Sequence, residues 1–241
     1  MKSGILYLIP NTLGETPPQS VVPEYYKTLL SGIFHFLAED VRTARRYLSR
    51  WDLPHPMEAL HFYPLNEHTA PEDLPSLMDP LLRGEDMGIL SEAGVPGVAD
   101  PGAEAVALAH RMGIRVVPWV GPSSILLSLM ASGLNGQQFA FAGYLPVKPE
   151  ERAERIRFLE KRSSKECQTQ IFIETPYRNK ALFADLLKTC RPFSRLCVAV
   201  DLTLPSESVY TCTVSEWQLR PVPDLHKRPA IFLLLADSYN H

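Results

Sequence analysis

The chain has 241 residues, 45% hydrophobic and 21% charged, with a net charge of −3. That mix belongs to a globular protein with enough chain for a sizeable core, in one large domain or two of ordinary size. An acidic balance supplies no global field for nucleic acid, so any such binding has to use a local patch. The four cysteines, Cys167, Cys190, Cys197 and Cys212, form no C-x-x-C pair, which excludes a disulfide framework or zinc motif and predicts reduced thiols in a cytoplasmic protein. The opening apolar run reaches Pro10 too soon for a signal segment, and no run approaches a membrane span.

In chain order, residues 4–9 read as a strand ended by Pro10, and 11–22 as a loop. No G-x-G-x-x-G follows this strand and no G-x-x-x-x-G-K-[ST] occurs anywhere, so a dinucleotide fingerprint and a P-loop are both excluded. Residues 23–30 predict a helix and 33–38 a second strand, which runs into Glu39 and Asp40. A basic helix follows through Arg50, with Arg42, Arg45, Arg46 and Arg50 on one face. Either this is a solvated face or its guanidinium forks meet phosphate oxygens. Residues 61–65 predict a short strand followed by a polar loop with His68, a candidate proton carrier. Residues 71–83 predict a helix interrupted at Pro75 and ended by Gly84.

Residues 87–90 predict a buried strand, and 103–112 the next helix. The loop between them holds Gly94, Pro96, Gly97, Pro101 and Gly102. Glycine lets backbone approach a ligand and proline fixes φ, so this is a rigid loop with bare backbone groups on show. At the carboxyl end of a strand in an open α/β sheet, such a loop is a pocket wall. Residues 114–120 predict a strand that stops at Gly121, with Ser123 as N-cap of an apolar, buried helix and Gly133 at its end. The pattern then restarts with strands at 139–142, 170–173, 196–200, 209–213 and 230–236, and helices at 148–165 and 180–189. Residues 215–217 read as a turn. The first half alternates strand and helix, whereas the second has adjacent strands. This predicts an α/β protein of two domains, residues 1–120 with a mainly parallel sheet and 121–241 with a mixed one.

Four blocks together resemble the tetrapyrrole methylase superfamily of S-adenosylmethionine-dependent methyltransferases. They are Ala38–Arg42; Ser91–Pro96 with Asp100–Gly102; Gly113–Pro118 with Gly121–Ser124; and Gly143–Pro146 with Glu174–Arg178. Their order and spacing are most similar to the branch that methylates the 2′-hydroxyl of a cytidine in small-subunit ribosomal RNA. The resemblance runs from about Leu6 to Leu235. The chain departs from that branch at the first loop, Pro10–Glu15 where PTPIGN is usual, at Val41 and Val95 where threonine is usual, and at Lys227–Ala230 near the end.

The resemblance implies a homodimer of two-domain subunits, with S-adenosylmethionine folded into a cleft between the domains. It implies cofactor contacts from Glu92, Ala93, Gly94, Val95, Val98, Pro122, Ser123, Ser124, Tyr144, Leu145, Glu174, Pro229 and Ala230. It also implies ribosomal RNA or the small ribosomal subunit as partner, and the arginine face of Arg42, Arg45, Arg46 and Arg50 is where its phosphates are expected; from the sequence itself no membrane and no metal are expected. In-line methyl transfer draws much of its rate from positioning. A hydroxyl acceptor also calls for a general base, for which Glu39, Asp40, Glu92 and His68 are candidates. Glu39 and Asp40 have a second reading, as an anchor for Arg42 or a helix cap. A tetrapyrrole or other small acceptor, or cofactor binding without turnover, stand as alternative functions.

Overall fold

The computed structural model describes residues 3–66, 68–100 and 102–236. Glu67 and Pro101, both read as loop residues, lie outside them. The chain divides into two compact units, Met1–Ser123 and Ser124–His241.

The first unit runs β1 (Ile5–Ile9), α1 (Tyr26–Leu30), β2 (His35–Ala38), α2 (Val41–Ser49), β3 (His61–Pro64), α3 (Leu74–Leu77), α4 (Asp79–Leu82), β4 (Met87–Leu90), α5 (Gly102–Arg111) and β5 (Arg115–Pro118). Its five strands stand in the order β3-β2-β4-β1-β5, each parallel to its neighbours. Parallel pairing follows from the alternation of strands with crossover segments, which carry the chain back to the same edge. Both faces are covered, as parallel sheets require. Along β1, Ile9 and Tyr7 join one cluster with Phe36, Tyr47 and Trp51, while Leu6 and Leu8 join another with Leu37, Met78 and Ile89.

The second unit runs α6 (Ser124–Ser132), β6 (Phe139–Tyr144), α7 (Pro149–Glu166), β7 (Thr169–Ile173), α8 (Asn179–Thr189), β8 (Arg195–Val200), β9 (Ser208–Thr213), α9 (Val214–Gln218) and β10 (Ala230–Leu235). The strand order is β6-β7-β10-β8-β9, with β6 and β7 parallel and the remaining pairs antiparallel. The apolar strand β10 is buried along its whole length at the centre of this sheet. Its Phe232 stacks on Phe172 of β7 at 6.1 Å between centroids. The two sheets, one parallel and one mixed, are the α/β architecture expected from the sequence.

Several elements differ from their sequence expectation. The helix expected over 23–30 forms only at Tyr26–Leu30. The one expected over 71–83 breaks at Met78, between α3 and α4, and not at Pro75. Pro75 sits in the first turn of α3, where its missing N–H costs nothing, and Pro80 likewise opens α4. The turn expected at 215–217 is the helix α9, because Thr213 and Glu216 form a capping box. Glu216 N donates to Thr213 Oγ1 at 3.2 Å, and Thr213 N donates to Glu216 Oε2 at 2.8 Å.

The largest correction concerns α6. Its apolar sequence predicts burial on most faces, yet Ser128, Leu129 and Ser132 are what it buries, and Leu126 and Met130 are 50% and 78% exposed. The serines go inward because each hydroxyl donates to the carbonyl one turn back, Ser128 to Ile125 at 2.9 Å and Ser132 to Leu129 at 2.8 Å. Thr211 of β9 then donates to the Ser132 carbonyl at 2.8 Å.

Gly88 shows how tightly the first sheet is packed. A Cβ built there would fall against Ile9 Cδ1 and 3.0 Å from Phe36 Cδ1. Gly88→Ala is therefore expected to cost about 1–3 kcal/mol by overpacking. A lowered denaturant midpoint at unchanged m-value would show it, and an unchanged midpoint would mean that the core yields freely there.

Candidate functional site

Four loops leave the carboxyl ends of the parallel strands β1, β2, β4 and β5, and Asn11 is the buried pin between two of them. Its N–H donates to the Gly94 carbonyl at 2.8 Å. Its side-chain amide donates to the carbonyls of Ser91 at 3.2 Å and Glu92 at 2.9 Å, and its Oδ1 accepts from Thr12 N at 2.8 Å. The β2 loop joins through Glu39, whose N–H donates to the Leu90 carbonyl at 3.2 Å and whose Oε2 accepts from Glu92 N at 3.1 Å. The β5 loop joins at Gly94, where a Cβ would lie 3.4 Å from the Pro122 carbonyl and 3.3 Å from Leu13.

The β4 loop holds an unusual backbone. Gly94, Gly97 and Ala99 all have positive φ, at 75°, 81° and 61°. Asp100 fixes this shape by accepting from Gly97 N and Gly102 N, both at 2.8 Å. Burial raises the pKa of Asp100 above the usual carboxylate range, against those two backbone donors. Its second oxygen is buried with no partner among the described residues. The carbonyls of Glu92 and Gly94 each accept one bond from Asn11, and that of Ala93 accepts from Ser91 Oγ at 3.2 Å. Each carbonyl has a second lone pair. Val98 is half exposed, and the space where a Cβ of Gly97 would stand is open.

The candidate acids separate clearly. Asp40 caps α2, accepting from Thr43 N at 2.6 Å, and the Thr43 hydroxyl together with this N–H holds its pKa below the usual range. Glu39 is shifted the other way, first by burial and then by the nearby charges of Glu92, Asp100 and Asp40, with the Glu92 N–H opposing. Of this adjacent pair, Glu39 is the one whose environment favours taking up a proton. His68 lies in the exposed turn after β3, its N–H on the Asn66 side chain at 3.0 Å.

The four arginines do not act alike. Arg45 lies over the Phe62 ring, 5.0 Å from its centroid. Arg46 Nη1 stands 3.7 Å from Glu15, and Arg50 donates to the Thr16 carbonyl at 3.3 Å. Arg42 is exposed beside Asp40.

In the second unit, Tyr144 is 61% exposed at the end of β6, while the Leu145 side chain is buried in the core. Glu174 is buried, accepting from Thr175 N at 2.7 Å and Arg178 Nη2 at 2.6 Å. Pro229 accepts from Asp201 N at 3.0 Å, and Ala230 is buried in β10 opposite Val200. Ser124 opens α6. Sequence reasoning missed Asn11 and Asp100. The signal for both was available, a polar residue directly after a strand-ending proline and an aspartate just ahead of a helix that opens on glycine.

Among the described residues no helix is long and apolar enough to cross a membrane, and no three His, Cys, Asp or Glu side chains are grouped to hold a metal.

This chain is similar in fold to the methyltransferase CobJ, with a TM-score of 0.61 at 15% identity over 97% of this chain and 94% of that one. It is similar also to uroporphyrin-III C-methyl transferase from Thermus thermophilus complexed with S-adenyl homocysteine, with a TM-score of 0.53 at 18% identity over 96% and 97%. The architecture is that of the two-domain tetrapyrrole methylases. No family model matches the sequence. Among curated relatives, the ribosomal RNA small subunit methyltransferase I of Xylella fastidiosa strain Temecula1 is 31% identical over 235 residues, 98% of this chain and 82% of the relative. That of Vibrio cholerae is 27% identical over 98% and 77%. The chain belongs to the ribosomal RNA small subunit methyltransferase I family, and it is a methyltransferase.

Asn11→Leu removes two buried side-chain donors and one acceptor at once. It is expected to cost about 1–3 kcal/mol for each group left without a partner. Amide exchange at position 11, whose N–H bonds the Gly94 carbonyl, and at Thr12, whose N–H loses its acceptor, should speed up ahead of the amides of β1; exchange that speeds up uniformly would mean that Asn11 does not pin these loops.

Proposed function

We propose that this protein transfers the methyl group of S-adenosylmethionine to the 2′-hydroxyl of a cytidine ribose in small-subunit ribosomal RNA, as a cytoplasmic homodimer. The observation that carries this reading is the convergence of the β1, β2, β4 and β5 loops around Gly94, with an activated carboxylate beside them, in a chain of this family.

The cofactor fits the β4 loop on one observation above the rest. Gly94 and Gly97 carry no side chain, the space where a Cβ of Gly97 would stand is open, and the Glu92, Ala93 and Gly94 carbonyls each keep a second lone pair for a sulfonium. Glu92, Ala93, Gly94, Val95, Val98, Pro122 and Ser123 are the residues of the first unit proposed to hold it. When bound, the cofactor supplies an electrophilic methyl. The chain's own residues then have two tasks. The loops fix the acceptor oxygen in line with that methyl, and Glu39 takes the hydroxyl proton on the carboxylate that already accepts from Glu92 N.

Glu39→Gln keeps an acceptor for Glu92 N, so the loop should hold while the base is lost. We expect kcat to fall about 10²–10⁴-fold with cofactor affinity intact. The raised pKa sets the signs. Activity should climb as pH rises through the folded pKa of Glu39. Stability runs the other way: the folded state holds this proton more tightly, so rising pH erodes stability between the ordinary glutamate range and that raised value. In Glu39→Gln the erosion should vanish from the pH dependence of thermal melting. Wild-type kcat in the variant would remove Glu39 from the chemistry.

Gly94→Val puts a branched side chain at positive φ, against Leu13 and the Pro122 carbonyl. Calorimetric titration should show loss of S-adenosylmethionine binding in a variant that still melts cooperatively. Unchanged affinity would move the cofactor away from this loop.

The dimer draws support from the apolar side of α6, where Leu126 and Met130 stand exposed. Light scattering at micromolar concentration should return about twice the 27.1 kDa chain mass, and Met130→Asp should shift it toward one. The acceptor itself is decided by labelled methyl appearing on ribose in small ribosomal subunits that lack the modification. Label that goes to a base, or to no RNA, would overturn the reading.

A further inference from the structure

Between the β1 loop and α2 lies an open pocket of about 160 Å³. Thr43, Arg46, Tyr47 and Arg50 of α2 and its C-cap form one wall, and Leu13–Glu15 form the other. Glu92 and Ala93 close its inner end. Resting on the RNA reading above, we propose that this pocket seats a phosphodiester of the acceptor strand, and that Glu15 is a built-in competitor for the seat.

Two observations converge. Arg46 and Arg50 stand one helical turn apart on the same wall, and arginine forks match phosphate oxygens. The outer rim is also open, with the Arg46 and Glu15 side chains 56% and 84% exposed, so a polymer can pass across the pocket.

The inner end of the pocket fixes the register. Glu92 N donates to Glu39 Oε2 at 3.1 Å, so the seat lies one hydrogen bond from the proposed base. A ribose 2′-hydroxyl and the 3′-phosphate of the same nucleotide are only a few bonds apart. One nucleotide can therefore meet both.

Glu15 holds the position an anion would take, with Oε1 3.7 Å from Arg46 Nη1. An exposed pair at that distance is weak and gives way readily. A phosphodiester entering the seat displaces this carboxylate and gains the guanidinium.

The test uses the whole protein with small ribosomal subunits lacking the modification, measuring KM for subunits at several salt concentrations and S-adenosylmethionine affinity in parallel. Arg46→Ala and Arg50→Ala should each raise KM about tenfold or more. Each should also flatten the slope of log affinity against log salt by roughly 0.7–0.9. Arg50→Lys, which keeps the charge but not the fork, should recover only part of the loss. Glu15→Gln should lower KM, and Arg46→Ala should cancel most of that gain. Cofactor affinity should stay constant throughout. Unchanged KM and slope in the arginine variants would overturn the seat, as would weakened cofactor binding with RNA spared, which would hand the pocket to the cofactor carboxylate. A Glu15→Gln variant with unchanged or higher KM would overturn the competitor. The wild type reports separately on the acceptor: no transfer to subunits at all sinks the RNA reading, whereas transfer that ignores these substitutions sinks the pocket alone.

Discussion

The arrangement of the first unit depends on the bonds that one buried asparagine makes at the end of the central pair of strands. β1 and β4 are parallel neighbours, so their loops leave the sheet side by side at the same edge. Loops made of glycine and proline have few side chains with which to hold each other. Asn11 substitutes for those missing contacts, giving its main-chain N–H to Gly94 and its side-chain amide to Ser91 and Glu92. A backbone surface held in this way can face a ligand without moving, which is the condition for catalysis by positioning.

The same edge sorts two neighbouring carboxylates into different chemistry. Asp40 receives a helix N–H and is kept acidic, while Glu39 is half-buried among other carboxylates and pushed up. Adjacent residues thus do unlike work, because one faces the first turn of a helix and the other faces the β4 loop. Environment sets acid–base assignment more than residue type does. The arginines of α2 show a parallel division. Arg45 turns to an aromatic ring, while Arg46 and Arg50 line the pocket beside the β1 loop. An acidic chain can meet an anion this way, since two forks in one pocket act at short range, where net charge counts for little.

The second unit is organised by β10, which is apolar throughout because it pairs on both sides and is covered on both faces. Its entry is fixed by Arg228, which donates to Asp201 Oδ2 and to the Ser206 carbonyl, both at 2.8 Å. This clamp sets the backbone at Pro229, whose carbonyl accepts from Asp201 N. Glu174 plays the same kind of part at the end of β7, where it holds Arg178 and the Thr175 amide. Both ion pairs shape loops, and Glu174 Oε2 keeps no hydrogen-bond partner among the described residues.

The sequence by itself determined the strands, the two sheet types and the loops worth watching. Short apolar runs ended by proline or glycine mark strands whatever surrounds them, and alternation with helices dictates parallel pairing. Motif order was enough to reach the family. Only the tertiary structure decided which side of α6 is buried, since a serine that bonds its own helix backbone can enter a core that its composition would refuse it. It alone separated Glu39 from Asp40 and divided the four arginines, because helical spacing gives a common face but not the ring, carboxylate or carbonyl opposite each residue. It alone revealed Asn11 and Asp100, whose partners lie on backbone groups. Such groups are the same at every position in a sequence, and they become specific only when the fold sets them a hydrogen bond apart.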